Sequence, residues 1–221
     1  MKFGILCRLG PAIALAAVGI LATAGPARAT EIAFGGLTPS GTCGTATNST
    51  NNEVCANGLT FTSGGNTFTA SGYKSDTFGT ATALTFKPNP PNAEDESGLG
   101  ENAASTGACT DTSVAANCEI AGGAAVVLMS TGANLIDALI GSVQSGENFS
   151  IWTGSSLATL TNESGTITGE CSGSALCTED FTGAQYVAVV SEGTGNVLLT
   201  GVSVSSVPEP GSLALLGTAL L

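Results

Sequence analysis

The sequence predicts an all-β fold: a single antiparallel β-sandwich or jelly-roll-like domain stapled by three short-loop disulfides. Three observations carry this expectation. Threonine is frequent, and short apolar or alternating runs recur between clusters of glycine, asparagine and serine, as in strands separated by turns. Within the runs apolar residues repeat with a period of two, which a strand buried on one face requires. The cysteines of the central region fall into three close couples, Cys43 with Cys55, Cys109 with Cys118 and Cys171 with Cys177.

The clearest strand-like runs are 59–62, 81–87, 124–130, 149–153, 157–161, 185–190 and 196–205. In the last, Leu198, Val202 and Val204 share a face with Thr200, and in 149–153 Phe149 and Ile151 oppose Ser150 and Trp152. Residues 134–143 read two ways. Leu135, Ile136, Leu139 and Ile140 fit a helical stripe as well as a strand, so one short helix remains open there. Stretches 40–57 and 87–117 read as loops, the second carrying Pro88, Pro90, Pro91 and the acidic run Glu94-Asp95-Glu96. Pro208 and Pro210 end the last run, because proline donates nothing to a strand ladder. No repeat of solenoid or propeller length is visible.

Residues 1–29 read as a secretory signal peptide. Lys2 and Arg8 precede an apolar stretch, and Ala27-Arg28-Ala29 supplies the small-x-small pattern that signal peptidase cleaves, placing the mature start at Thr30. The domain proper is then 30–206, long enough for one sizeable core. Cleavage removes three of the five basic residues and leaves Lys74 and Lys87 against 17 acidic ones. A surface this negative repels nucleic acid. It also removes Cys7, and the remaining even set of six cysteines in an exported chain implies disulfides.

Histidine is absent, which excludes Ser-His-Asp and Cys-His catalysis and the commonest zinc ligand. The chain is therefore expected not to be an enzyme. Two carboxylates suffice for a glycosidase, but one tryptophan and two tyrosines are few for an extended sugar-binding cleft. Asp95, Glu96, Glu101 and Glu119 supply oxygen ligands of the kind Ca²⁺ takes, at a spacing unlike an EF-hand; a solvated acidic loop explains the same residues. Trp152, facing away from Phe149 and Ile151, is the candidate sugar-stacking ring, with a tryptophan half-buried under a loop as the plainer account.

The last residues, Val207-Pro208-Glu209-Pro210-Gly211-Ser212-Leu213-Ala214-Leu215-Leu216-Gly217, resemble the sorting tail of PEP-CTERM proteins. In that family the motif precedes an apolar membrane stretch and an Arg-rich end. A membrane transpeptidase, exosortase, handles the tail in Gram-negative bacteria that make extracellular polysaccharide. Glu96-Ser97-Gly98-Leu99-Gly100, Cys118-Glu119-Ile120, Gly141-Ser142-Val143 and Gly195-Asn196-Val197-Leu198-Leu199 resemble landmarks of the domains that accompany this tail. That resemblance implies a β-sandwich with no catalytic residues to carry over.

The segment 207–221 is shorter than the roughly 20 apolar residues a spanning helix needs and lacks an Arg cluster, so the expectation is a truncated sorting tail, with a degenerate tail as the alternative. Membrane association through it would be transient. The resemblance thus implies an exported protein of the outer surface or matrix, processed by signal peptidase and exosortase, associated with exopolysaccharide and structural or adhesive in role. The alternative is a carbohydrate-binding module that recognises extracellular polysaccharide.

Overall fold

The computed structural model describes residues 29–43, 53–88, 97–102, 118–168, 176–193 and 195–205, all within one compact unit, Ala27–Val207. The strands are β1 (Ala29–Ala33), β2 (Glu53–Cys55), β3 (Leu59–Ser63), β4 (Asn66–Tyr73) and β5 (Ala81–Lys87). Then come β6 (Gly98–Asn102), β7 (Ile120–Ala121), β8 (Ala125–Thr131), β9 (Asn134–Gly141) and β10 (Asn148–Gly154). The last five are β11 (Thr161–Asn162), β12 (Ile167–Thr168), β13 (Cys177–Ala184), β14 (Tyr186–Glu192) and β15 (Asn196–Ser205). Among the described residues the helical positions are the short 3-10 turns Phe34–Gly36 and Leu157–Thr159 and the single 3-10 residue Cys118, and no helix is long and apolar enough to cross a membrane.

All pairings are antiparallel and form two layers. The first runs β10-β14-β8-β4, with β11 and β12 beyond β10 and β3 beyond β4. The second runs β2-β5-β6-β15-β9-β13, with β1 and β7 also beside β15. Strand β5 belongs to both. Its start pairs with Gly72 and Tyr73 of β4, and its remainder pairs with β6. Inward residues of the two layers, among them Phe61, Phe68, Leu128, Phe149 and Val189 against Leu84, Leu99, Ile140, Leu199 and Val202, make one core. Phe61 touches both Phe34 and Phe86, at ring-centroid distances of 5.2 and 5.8 Å. The all-β antiparallel sandwich is the fold the sequence predicts.

Several local expectations change. Strands β2 and β6 lie inside the stretches 40–57 and 87–117 that read as loops. Residues 134–141, open between helix and strand in the sequence, are strand β9. The β9–β15 register shifts between Ser203 and Val204, leaving Ile136 as an extra residue, so Leu135, Ala138 and Ile140 enter the core. A bulge thus inserts a spacing of three into a period of two, and that spacing resembles a helical stripe. In β15 a second shift between Leu199 and Gly201 leaves Thr200 extra, its Oγ1 donating to the Leu139 carbonyl at 3.0 Å. The core face is therefore Val197, Leu199, Val202 and Val204, not a continuous Leu198–Thr200–Val202 face. The run 157–161 is a 3-10 turn leading into β11, because Ser156 and Thr159 close a capping box there.

Cys43 and Cys55 are bridged across an isolated antiparallel pair. Cys118 and Cys177 each also carry a disulfide, while Cys109 and Cys171 lie outside the described residues. The segment at Cys118 is pressed onto the second layer: Thr85 Oγ1 donates to the Cys118 carbonyl at 2.6 Å. Gly100 faces the same carbonyl so closely that a Cβ there would collide with it and lie 2.5 Å from Thr85 Oγ1.

Two stability predictions follow from these contacts. Gly100→Ala should cost about 1–3 kcal/mol through overpacking, read as a lower urea midpoint at unchanged slope; a variant as stable as wild type would show that the segment yields freely. Opening the Cys43–Cys55 loop, with its sequence separation of 12, by a double serine substitution should cost about 2–3 kcal/mol in the same measurement.

Candidate functional site

Strand alternation gives the first layer an outer face whose composition is unusual. Directly opposite residues place Trp152, Ala188, Val127 and Ser71 in one row across β10, β14, β8 and β4. The next row holds Ser150, Val190, Ala125 and Tyr73. The four residues on the two central strands, Ala188, Val127, Val190 and Ala125, are at most 3 % exposed although they point away from the core. Small side chains in the middle and large rings at the flanks make a shallow second apolar layer on this face.

The rings meet through the turn between β4 and β5. Phe78 packs against Tyr73 at 5.9 Å with planes at 89°, and against Trp152 at 5.6 Å with planes at 81°. Such edge-to-face contacts add about 0.5–1.5 kcal/mol each beyond area burial. Phe78 has φ of 52°, a left-handed conformation that is costly for a bulky residue. Its amide donates to the Ser75 carbonyl at 3.1 Å, and the hydroxyls of Ser75 and Thr77 are 2.7 Å apart, so the turn holds the ring in place. All three rings remain half-buried.

A polar relay adjoins the rings. Trp152 Nε1 donates to Ser150 Oγ at 3.0 Å, and Ser150 Oγ donates to Glu192 Oε1 at 2.6 Å. Burial raises the Tyr73 phenol above its ordinary pKa of 10.0, Tyr186 raises it further, and a hydrogen bond with Ser71 opposes the shift. Tyr73 is therefore a neutral donor at physiological pH. Tyr186 donates to Met129 Sδ at 3.1 Å, extending the face by one row.

The other sequence-predicted residues are dispersed. Glu119 is 4 % exposed and pairs with Lys87 at 3.2 Å, while Ser142 Oγ donates to the same Oε1 at 2.8 Å. Glu101 lies opposite Leu84 on β5, so it belongs to the face of the β5–β6 pair away from Lys87. Asp95 and Glu96 lie outside the described residues, as do Ala27 and the motif Val207, Pro208, Glu209 and Pro210. Ala29 and Thr30 begin β1, opposite Ser205 and Val204. Cys43, Glu53 and Cys55 come within 4.8 Å of one another, but the two sulfurs are bonded to each other and offer no thiolate to a metal.

A groove runs along the edge where β10 and β11 approach β13. Two hollows of about 460 and 340 Å³ share Glu163 and Thr182. The larger is rich in hydroxyls, from Thr153, Ser155, Thr159 and Thr161; the smaller presents Glu179 and Asp180. Burial, aided by the Asp180 charge, holds the Glu179 carboxyl above its ordinary value of 4.5.

No protein-family model matches the chain, and no curated protein matches it either. Among solved structures, the chain is similar to CpGH89CBM32-5 from Clostridium perfringens, in complex with GalNAc-β-1,3-galactose. The identity is 15%, the similarity covers 63% of this chain and 95% of that one, and the TM-score is 0.31. A likeness this distant assigns no ligand and no site residue.

Sequence reasoning singled out Trp152 and missed Phe78, Tyr73 and Glu192. A signal for Phe78 was present: it is the lone aromatic residue in the polar turn Lys74-Ser75-Asp76-Thr77-Phe78-Gly79-Thr80. The Lys87–Glu119 pair had none, since the partners are 32 residues apart.

Two measurements bear on these charges. Lys87→Met should cost about 3–5 kcal/mol, because it leaves the buried Glu119 carboxylate uncompensated, and chemical denaturation of the single variant against Lys87→Met/Glu119→Leu would show the double variant recovering part of the loss. For Glu179 the raised pKa means the fold favours the protonated acid. Its contribution is present below 4.5 and lost as pH rises through the folded value. Glu179→Gln should therefore raise the melting temperature slightly at neutral pH, with the difference vanishing in acid.

Proposed function

We propose that this chain is an exported, non-catalytic carbohydrate-binding β-sandwich whose ligand is extracellular polysaccharide. The observation that carries the reading is the cluster of Tyr73, Phe78 and Trp152 on the outer face of the first layer. Half-exposed rings on a rigid sheet offer apolar area to the C–H faces of a sugar at little entropic cost, and neighbouring hydroxyls and carboxylates accept its O–H groups. The strongly acidic mature charge disfavours nucleic acid as the partner and is compatible with a polyhydroxylated one.

Export and sorting belong to the same proposal. The signal segment at 1–29 and the Val207–Pro210 motif make signal peptidase and exosortase the processing partners and the outer surface or matrix the destination. No cofactor is required. The structure does not gather Glu101 and Glu119 around one Ca²⁺ with Asp95 and Glu96, because Glu119 pairs with Lys87 and Glu101 sits on the other face of the β5–β6 pair; a melting-temperature shift in Ca²⁺ over EGTA would restore that site.

A second reading, a carboxylate-dependent glycan hydrolase, has one observation in its favour: the acid Glu179, held above its ordinary pKa in a groove that also contains Glu163. Release of reducing ends from a polysaccharide panel, abolished by Glu179→Gln, would establish it and displace the binding reading.

The binding proposal is tested by a glycan array and exopolysaccharide pull-down with wild type and Trp152→Ala. Saturable binding that falls at least about tenfold in a folded Trp152→Ala variant, a loss of about 1.4 kcal/mol, is the expected result. Absence of saturable binding by the wild type would return the chain to a purely structural or adhesive role.

A further inference from the structure

The geometry of the rings narrows the sugar class. A stacking surface for neutral sugars is best served by rings that share a plane. Here Phe78 stands at 89° to Tyr73 and at 81° to Trp152, so Phe78 forms a corner with each of the other rings and the three share no common plane. A π face left open by such a ring attracts a cation, because the face carries the ring's negative quadrupole density. The indole N–H, the donor a neutral sugar hydroxyl would use, is already spent on Ser150 Oγ.

The polar group beside the corner points the same way. The Ser150 hydroxyl receives that N–H and donates its own proton to Glu192 Oε1, so the relay ends in a carboxylate two hydrogen bonds from the indole ring. An ionised carboxylate only accepts, and its natural partner in a half-buried setting is an ammonium. The turn that carries Phe78 contributes one cation and one anion, Lys74 and Asp76, which offset each other. The surrounding field is strongly negative, since the mature chain sets Lys74 and Lys87 against 17 acids.

Accepting the carbohydrate-binding reading, on which this step rests, we infer that the corner formed by Tyr73, Phe78 and Trp152 beside Glu192 takes the protonated amino group of an amino sugar in a cationic polysaccharide. The ammonium sits against the ring faces and pairs with the Glu192 carboxylate, while the apolar face of the sugar covers the remaining ring surface. A uronic-acid polymer is excluded by the same charges.

The test is calorimetric titration of the full chain with a glucosamine oligomer, its fully N-acetylated counterpart, an alginate oligomer and polylysine of matched length, at low and high salt. The expected result is saturable binding of the glucosamine oligomer that weakens with salt, is lost on N-acetylation, and falls about tenfold in Glu192→Gln, a change that preserves the hydrogen bond from Ser150 and removes the charge. Trp152→Ala should abolish it, with circular dichroism and melting temperature confirming that both variants are folded. Equal, Trp152-dependent binding of the N-acetylated oligomer would overturn the inference and leave the carbohydrate-binding reading standing. Equal binding of polylysine, indifferent to Trp152→Ala, would overturn it in favour of bulk charge attraction. Binding of no oligosaccharide would overturn both.

Discussion

The two edges of β15 are the constraint on which the second layer depends. One edge pairs with β9 from Asn134 to Gly141, and the other is shared by β7, β6 and β1 in turn. Residues 197–204 are buried throughout, so every backbone group of this strand must find a partner within the protein. The two register shifts against β9 are the local solution. They keep the hydrogen-bonded ladder, the one at Thr200 moving Val202 and Val204 into phase with Val197 and Leu199, and the one at Ile136 bringing Leu135 into phase with Ala138. Because β15 is the last described strand and β1 the first, the layer is closed by its two sequence ends, Ala29 opposite Ser205.

A buried charge fastens a covering segment to that layer. Lys87 at the end of β5, Glu119 and Ser142 form a chain of charged and neutral hydrogen bonds with almost no access to water. Ser142 holds φ of 59°, a conformation its bond to Glu119 helps to fix. Gly100 lets the Cys118 carbonyl approach the β5–β6 pair. These are residues of the Gly98-Leu99-Gly100, Glu119-Ile120 and Ser142-Val143 landmarks noted in the sequence. Their convergence gives those landmarks an architectural role: they pin one segment across the outer side of the second layer.

On the outer face of the first layer the side-chain sizes decide the chemistry. Alanine and valine at the centre of β8 and β14 let rings from β4, β10 and the β4–β5 turn approach one another. Larger residues at Ala188 or Ala125 would lift those rings apart. The relay from Trp152 through Ser150 to Glu192 spans two neighbouring strands, so the position of the carboxylate beside the rings is set by strand pairing, which is more rigid than a loop-borne contact.

The sequence by itself determined the strand content, the antiparallel class and most of the core, because period-two alternation and turn residues are local signals that survive without tertiary context. It also determined the exclusion of histidine chemistry, the acidic charge and the placement of Trp152 outside the core. It left 134–143 open between helix and strand, because Leu135, Ile136, Leu139 and Ile140 fit either, and it misjudged 157–161, where Ser156 and Thr159 cap a turn. Only the tertiary structure decided which distant residues meet: Lys87 with Glu119, Phe78 with Trp152, Ser150 with Glu192. The physical reason is that strand register, set by bulges and by which edges remain to be paired, fixes those encounters, and register is a property of the assembled sheet rather than of any single run of residues.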